Sequence, residues 1–175
     1  KLNGGVHYQY YDTWSEMRVL DLLGGEKWYD TTSKTYVGLG DYTGARYGRT
    51  THHPPAIAQM EAKTESMTAT LGVSMFNGAY RRSNFITGEH SAWACGTGAS
   101  VKAGLLYHIT PAHTVYINGA YNSRLPYAGT FLASSDLSIT NDVTNEINVL
   151  GEVGYRTSWQ GGGLEMAAYV ASWRN

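Results

Sequence analysis

The chain has 175 residues, room for one ordinary domain, with a net charge of −1 and a single cysteine, Cys95. A net charge near zero lacks the excess of positive charge that is typical of nucleic-acid-binding proteins. A single cysteine excludes disulfide bonds within the chain. Charged residues make up only 15% of the chain, against the usual ~25%, yet no run approaches the ~18–20 apolar residues of a membrane helix. The composition favours many strands whose two faces differ in polarity.

Seven segments alternate small or apolar residues with polar ones, which is the period-two pattern of β-strands. In residues 113–124, for example, Val115 and Ile117 share one face, whereas Tyr116 and Asn118 share the other. The predicted strands are residues 4–15, 56–63, 66–81, 99–109, 113–124, 145–157 and 163–173. We expect an antiparallel meander of these seven strands in sequential order, with almost no helix.

The connections between the predicted strands alternate between long loops and short turns. Residues 16–55, 82–98 and 125–144 form the long loops, and the first of these has a small hairpin of its own around residues 27–37. Long loops at one end and short turns at the other are typical of outer-membrane barrels. The sequence therefore predicts an all-β fold, an open portion of a large transmembrane β-barrel. We expect a single partial barrel domain over residues 1–175, truncated at both ends.

Strand parity assigns side chains to the two faces of the predicted sheet. A Lys or Arg that faces lipid costs ~2–4 kcal/mol near the bilayer midplane, so Lys102, Glu152 and Arg156 identify the lumen-facing, concave side. Glu152 and Arg156 are predicted to belong to an ion-pair network there, or to contact substrate. The lumen-facing candidates are Lys102, His108, Tyr116, Asn118, Asn122, Glu146, Asn148, Glu152 and Arg156. The convex, lipid-facing candidates include Leu71, Val73, Val101, Leu105, Val115, Ile117, Val149, Val153, Leu164 and Val170.

Several stretches also resemble a known family. The run NEINVLGEVGYR, followed by LEMAAYVASWRN, resembles the barrel of TonB-dependent outer-membrane receptors at Asn145, Glu146, Glu152, Gly154, Tyr155, Tyr169 and Trp173. VKAGLLYHITPAHTVYINGAYNSRLPY resembles the preceding hairpin, and RVLDLLGG is similar to a loop of one subgroup. The resemblance implies a middle-to-late portion of a 22-stranded barrel that imports a scarce nutrient of the siderophore, cobalamin or oligosaccharide class.

The same resemblance implies a location in the cell outer membrane and a set of partners. These are outer-membrane lipid, the plug domain of the full-length chain, the TonB complex through a segment missing from these residues, and a small nutrient ligand. No nucleic acid and no cofactor are expected. Two alternatives stay open at this point, a passive outer-membrane porin and a soluble all-β ligand-binding module.

Aromatic residues are dense in the predicted loops, where they would either hold an amphipathic ligand or pack the loops together. The ligand-loop candidates are Trp28, Tyr29, Tyr42, Tyr47, Trp93 and Tyr127. No metal site is predicted, because the adjacent His52 and His53 point apart on an extended chain. No catalytic residues are predicted either, since G-x-S-x-G is absent and neither Cys95 nor Ser134-Ser135-Asp136 carries the surroundings of a nucleophile. We therefore do not expect an enzyme.

Overall fold

The structure is a computed structural model that describes residues 1–132 and 137–174, so Ser134-Ser135-Asp136 lies outside the described residues. The strands are β1 Leu2–Val6, β2 Gln9–Arg18, β3 Trp28–Asp30, β4 Thr35–Val37, β5 Tyr42–His53, β6 Ala56–Lys63, β7 Met67–Asn84, β8 Ala94–Thr110, β9 His113–Arg124, β10 Glu146–Trp159 and β11 Gly162–Arg174. One short helix, α1, covers Ala128–Phe131. Among the described residues, no helix is long and apolar enough to cross a membrane.

Nine of the strands form one antiparallel sheet that curls into a half-barrel, which confirms the all-β, open-barrel prediction. The sheet runs β1-β6-β7-β8-β9-β10-β11, with β5 paired to both β2 and β7. Short turns join β6 to β7, β8 to β9 and β10 to β11 at one end of the sheet, called here the turn end. The longer connections, 19–41, 85–93 and the described parts of the third (125–132 and 137–145), lie at the other end, called the loop end.

The predicted count of seven strands is wrong, because two long strands are each interrupted and one loop contains a hairpin. The first interruption is at residues 7–8, between β1 and β2, and the second at Pro54-Pro55, between β5 and β6. Proline has no N–H to give to a sheet ladder, so the second break follows from the sequence. The remaining two strands, β3 and β4, form the small hairpin predicted near residues 27–37.

Residues 42–53 were predicted to be loop but form β5, which is twelve residues long. They pair with β2 on one side and with β7 on the other. Tyr42 and Tyr47 are therefore strand residues rather than loop residues. Likewise, β7 extends to Asn84 and β8 starts at Ala94, so the predicted loop 82–98 shrinks to residues 85–93.

The register of the sheet gathers all nine lumen-facing candidates on one face. Directly paired residues share a face, and the pairs Lys102–Ala120, Asn118–Glu152 and Asn122–Asn148 link β8, β9 and β10. The same ladder places His108 opposite Thr114, Glu146 opposite Arg124, and Arg156 opposite Thr114. The nine candidates therefore share one face of the sheet across β8, β9 and β10.

The opposite face carries an apolar band about nine residues tall across four neighbouring strands. It comprises the odd-numbered positions of residues 67–75, 99–107, 115–123 and 147–155, which the pairing aligns side by side. None of these positions holds a charged residue. Nine to eleven tilted residues are what a β-strand needs to cross a bilayer.

A small packed core lies at the loop end, where residues 125–132 and 137–145 fold inward against the sheet. Tyr80, Ala94, Phe131 and Leu132 are buried together, with the Tyr80 and Phe131 rings stacked at 5.3 Å. Gly96 gives these side chains room, because a Cβ at this position would overlap the end of Leu125 and touch the Phe131 ring. The connection that was predicted as an open loop thus narrows one end of the concave face.

Candidate functional site

The polar face of the half-barrel forms an open trough. Two adjoining concavities, of about 790 Å³ and about 390 Å³, lie along it. Seven of the nine lumen-facing candidates line them, namely Lys102, Tyr116, Asn118, Asn122, Asn148, Glu152 and Arg156. The other two lie beyond the concavities on the same face, His108 bonded to Thr114 at 2.9 Å and Glu146 4.0 Å from Arg124.

A polar network closes the turn end of the trough. The Arg156 guanidinium donates to both carboxylate oxygens of Glu165, with Nη2 at 3.0 Å from each. The Tyr116 hydroxyl donates to the same carboxylate at 3.1 Å, while Asn118 Nδ2 donates to Glu152 at 2.9 Å. The carboxylate partner of Arg156 is thus Glu165 of β11, and Glu152 is held by an amide instead.

Glu165 was absent from the predicted lumen set, although the sequence contains the signal for it. The turn at residues 160–161 makes Trp159 and Gly162 a direct pair, and counting outward from them places Arg156 opposite Glu165. Gly161 supports this tight turn with φ +90°, a conformation that favours glycine. The hairpin register, rather than the four-residue spacing along β10, selects the ion pair.

The six predicted ligand-loop aromatics do not come together in one site. Trp28 and Tyr29 belong to the β3–β4 hairpin, where Tyr29 packs edge-on against Tyr36 at 5.2 Å. The other four each lie beneath an arginine. The guanidinium-to-ring distances are Arg18–Tyr42 4.3 Å, Arg46–Tyr42 3.7 Å, Arg82–Tyr47 3.9 Å, Arg81–Trp93 5.3 Å and Arg124–Tyr127 4.9 Å. Cation–π contacts of this kind order aromatic side chains where long connections meet the sheet.

The two adjacent histidines have separate surroundings, as their positions on an extended strand predict. His52 Nδ1 lies 2.5 Å from the Tyr8 hydroxyl, and its ring packs against Trp93. His53 Nδ1 lies 3.1 Å from the carbonyl oxygen of Asn77 on the other side of the strand. Within residues 1–132 and 137–174, no group of three or more His, Cys, Asp or Glu is placed to hold a metal ion.

Asp30 is the buried acid of the loop end. Its carboxylate accepts hydrogen bonds from the backbone N–H of Gly44 at 2.7 Å, from the Ser33 hydroxyl at 2.7 Å and from the backbone N–H of Thr32 at 2.9 Å. These donors, with Gly44 the strongest, hold the pKa of Asp30 well below its ordinary value. The ionised side chain therefore fastens the β3–β4 hairpin to β5.

No family model, curated protein or solved structure matches this chain. Function is accordingly inferred from the geometry of the two faces and from the residues that carry the family resemblance.

Proposed function

We propose that the chain forms part of the barrel of a TonB-dependent outer-membrane receptor that imports a small nutrient. The observation that carries this proposal is the charge-free apolar band on the outer face of the half-barrel. Its height of about nine residues suits a bilayer, and the opposite face is polar along the same strands.

The apolar band has no protein layer over it within the described residues. Leu71, Val73, Val101, Leu105, Ile117, Val149 and Val153 are each 40–57% exposed. The buried apolar residues lie at the loop end instead: Tyr80, Ala94, Phe131 and Leu132 in the small core, Val19 just after β2 and Val37 in β4. A soluble sandwich would cover such a face with a second sheet, whereas a barrel leaves it to lipid. The soluble-module alternative is disfavoured for this reason.

The polar trough supports the transport part of the proposal. Amide, hydroxyl and charged side chains line the interior of outer-membrane barrels, where they meet water, a plug or a solute. The partners proposed for this face are a plug domain and a small nutrient of the siderophore, cobalamin or oligosaccharide class. Coupling to TonB rests on the resemblance at Glu152, Gly154 and Tyr155 and on neighbouring positions of the same hairpin.

Two adjacent residues of β10 provide a direct test of the lipid face. Val149 lies in the apolar band and Leu150 faces the trough. In a Cys95→Ser background, nitroxide labels would be attached to Val149→Cys and, separately, to Leu150→Cys, and the chain reconstituted into phosphatidylcholine vesicles. Oxygen, which concentrates in lipid, is expected to relax the label at 149 more strongly than the label at 150. A water-soluble nickel chelate is expected to relax the label at 150 more strongly than the label at 149. Equal accessibility of the two labels to both reagents would contradict the proposal.

Dependence of uptake on TonB distinguishes a receptor from a passive porin, because only the receptor needs energy from the TonB complex. The full-length protein would be expressed in cells with and without TonB, and uptake of candidate nutrients measured. A receptor is expected to lose uptake without TonB, whereas a porin keeps it. The reading frame that encodes this chain is also expected to encode a plug domain.

A further inference from the structure

The trough leads, at the loop end, into a concavity of about 620 Å³ that we call the cationic pocket. Its walls include Arg49 of β5, Arg124 of β9, and the aromatic residues Tyr11, Phe76, Tyr80 and Tyr127. No carboxylate lies among its described lining residues. A pocket of this volume suits a small organic ligand, for which the usual range is ~300–1,000 Å³.

Arg49 supplies a positive charge that no other described residue of the sheet pairs with. It projects from the concave face directly opposite Arg82 of β7, and like charges in that arrangement are unfavourable. Within residues 1–132 and 137–174, the guanidinium of Arg49 forms no ion pair and no hydrogen bond. It also borders a second concavity of about 320 Å³, so a solute can approach it from two sides.

Arg124 supplies the second positive charge and an exposed ring. Its guanidinium lies 4.9 Å from the centre of the Tyr127 ring and 4.0 Å from Glu146, so one carboxylate only partly balances it. The Tyr127 hydroxyl accepts a hydrogen bond from Arg124, yet the side chain is 75% exposed, so much of the ring surface is open to a ligand. The pocket thus has an excess of positive charge beside open aromatic surface.

The opposite wall of the pocket is rigid. Tyr80 is 3% exposed, stacks on Phe131 and meets the His53 ring edge-on at 5.4 Å. The hydroxyl of Tyr80 lies 3.5 Å from His53 Nε2. A buried aromatic ring and an exposed one that line the same pocket suit a flat ligand rather than a bulky one.

We propose that the cationic pocket binds a planar aromatic carboxylate. The carboxylate lies between Arg49 and Arg124, because guanidinium groups match it through paired N–H donors. The aromatic ring lies against Tyr127 and Tyr11. This inference rests on the proposed function in one respect: it gives the class of solute that the receptor captures at the loop end of its trough.

The test uses the whole chain folded in detergent micelles, with folding checked by circular dichroism. Three probes separate charge from ring: 2-naphthoate has both, 2-naphthamide has the ring alone, and acetate has the charge alone. Fluorescence titration and calorimetry are expected to show saturable naphthoate binding, at least about tenfold tighter than binding of either other probe. Added salt is expected to weaken naphthoate binding, because the pocket is open to solvent.

Substitutions then test which residues bind naphthoate. Arg49→Gln is expected to weaken naphthoate binding about tenfold, and Arg49→Lys less, since it keeps the charge but not the paired donors. Arg81→Gln is the matched control, because Arg81 is an arginine of the same end that packs on Trp93 and does not line the pocket. Tyr127→Ala removes the exposed ring and is expected to weaken the binding of naphthoate but not that of acetate, with folding of the variant checked by circular dichroism.

Equal binding of naphthoate and naphthamide would overturn the inference, and so would the absence of saturable naphthoate binding to the folded chain. An Arg49→Gln variant that folds and binds normally would overturn it as well. Failure of the proposed function gives a different result. The labels at 149 and 150 would then be equally accessible to oxygen and to the nickel chelate, whether or not naphthoate binds. Naphthoate binding that depends on Arg49 would then stand as a property of a soluble module.

Discussion

Asp30 shows how a single residue organises the loop end. It is the last residue of β3, it is buried, and its carboxylate takes a backbone N–H from Gly44, fourteen positions along the chain. Gly44 has φ +68°, and a Cβ there would meet the end of Met17, so this donor position needs glycine. An acid and a glycine together fix the hairpin on the sheet.

Acidification is expected to release the hairpin. The pKa of Asp30 is lowered in the folded state relative to the ordinary 3.8, so the ionised carboxylate stabilises the fold above that value. The stabilisation is lost as the pH falls below about 3.8 toward the depressed folded pKa. Amide protection factors of residues 28–44 in micelles, which correct for the slower intrinsic exchange in acid, should therefore fall below about pH 3.8, whereas those of the apolar-band strands should not change.

Asp30→Asn should bring the same loosening to neutral pH, because an amide cannot replace the charge that accepts three donors. Asp21→Asn is the matched control. Asp21 is exposed and its carboxylate accepts the N–H of Leu23 two residues on, so its replacement should leave exchange in the hairpin unchanged. Equal exchange in the two variants would contradict the role assigned to Asp30.

The contacts of individual residues were only partly predictable from the sequence. The Arg156–Glu165 pair follows from the two-residue turn once the register is counted, since no irregularity intervenes. The position of Tyr42 between Arg18 and Arg46 does not follow. The β2–β5 register shifts between Ser15 and Met17, and such a bulge leaves no periodic trace in the residues around it.

At the scale of elements, β5 is the strand that the sequence pattern does not predict. Its concave positions include Tyr47, Arg49 and Thr51, and its convex positions include Thr50 and His52, so both faces are polar. Strand alternation arises only where one face is apolar, and β5 lies above the apolar band. The strands that cross the band, such as β9 and β10, show clean alternation and were predicted almost to the residue.

Gly154 in β10 makes room for the ring of Tyr116. The two residues are directly paired, and a Cβ at position 154 would overlap the tyrosine ring. Gly154→Ala is expected to displace the ring, remove its hydrogen bond to Glu165 and destabilise the hairpin by about 1–3 kcal/mol, a typical cost of overpacking. Urea unfolding in micelles, followed by tryptophan fluorescence, would measure the change.

Gly151→Ala is the matched control in the same strand. A Cβ at position 151 meets only Val170, at an ordinary 3.7 Å, so the substitution should be close to neutral. In a Tyr116→Ala background, Gly154→Ala should also lose most of its cost, because the two residues are coupled through one contact. A Gly154→Ala penalty that persists without the Tyr116 ring would show that backbone conformation, and not packing, requires this glycine.

At the scale of the whole molecule, the half-barrel was predictable from two regularities, alternation along the strands and long loops confined to one end. The inward fold of residues 125–132 and 137–145 was not predictable. Leu125, Phe131 and Leu132 pack on Tyr80 through contacts that are distant in sequence, and the apolar residues of this connection follow neither the strand nor the helix period. The sequence therefore predicted the wall of the trough but not the segment that narrows it.

Two adjacent leucines of β8 test the sidedness of the half-barrel. Leu105 lies in the apolar band, whereas Leu106 faces the trough beside Tyr116. Under the proposed function, Leu105→Arg puts a charge against lipid, at a cost of about 2–4 kcal/mol near the bilayer midplane, and Leu106→Arg puts the same charge into a polar trough. We expect Leu105→Arg to impair folding into phosphatidylcholine vesicles and Leu106→Arg to fold like the parent chain, as measured by urea titration. Both variants replace a leucine of β8 by arginine. Differences in composition and in β-propensity therefore do not contribute to the comparison between them. If both variants insert equally well, the outer face does not meet lipid, and the apolar band must be covered by protein.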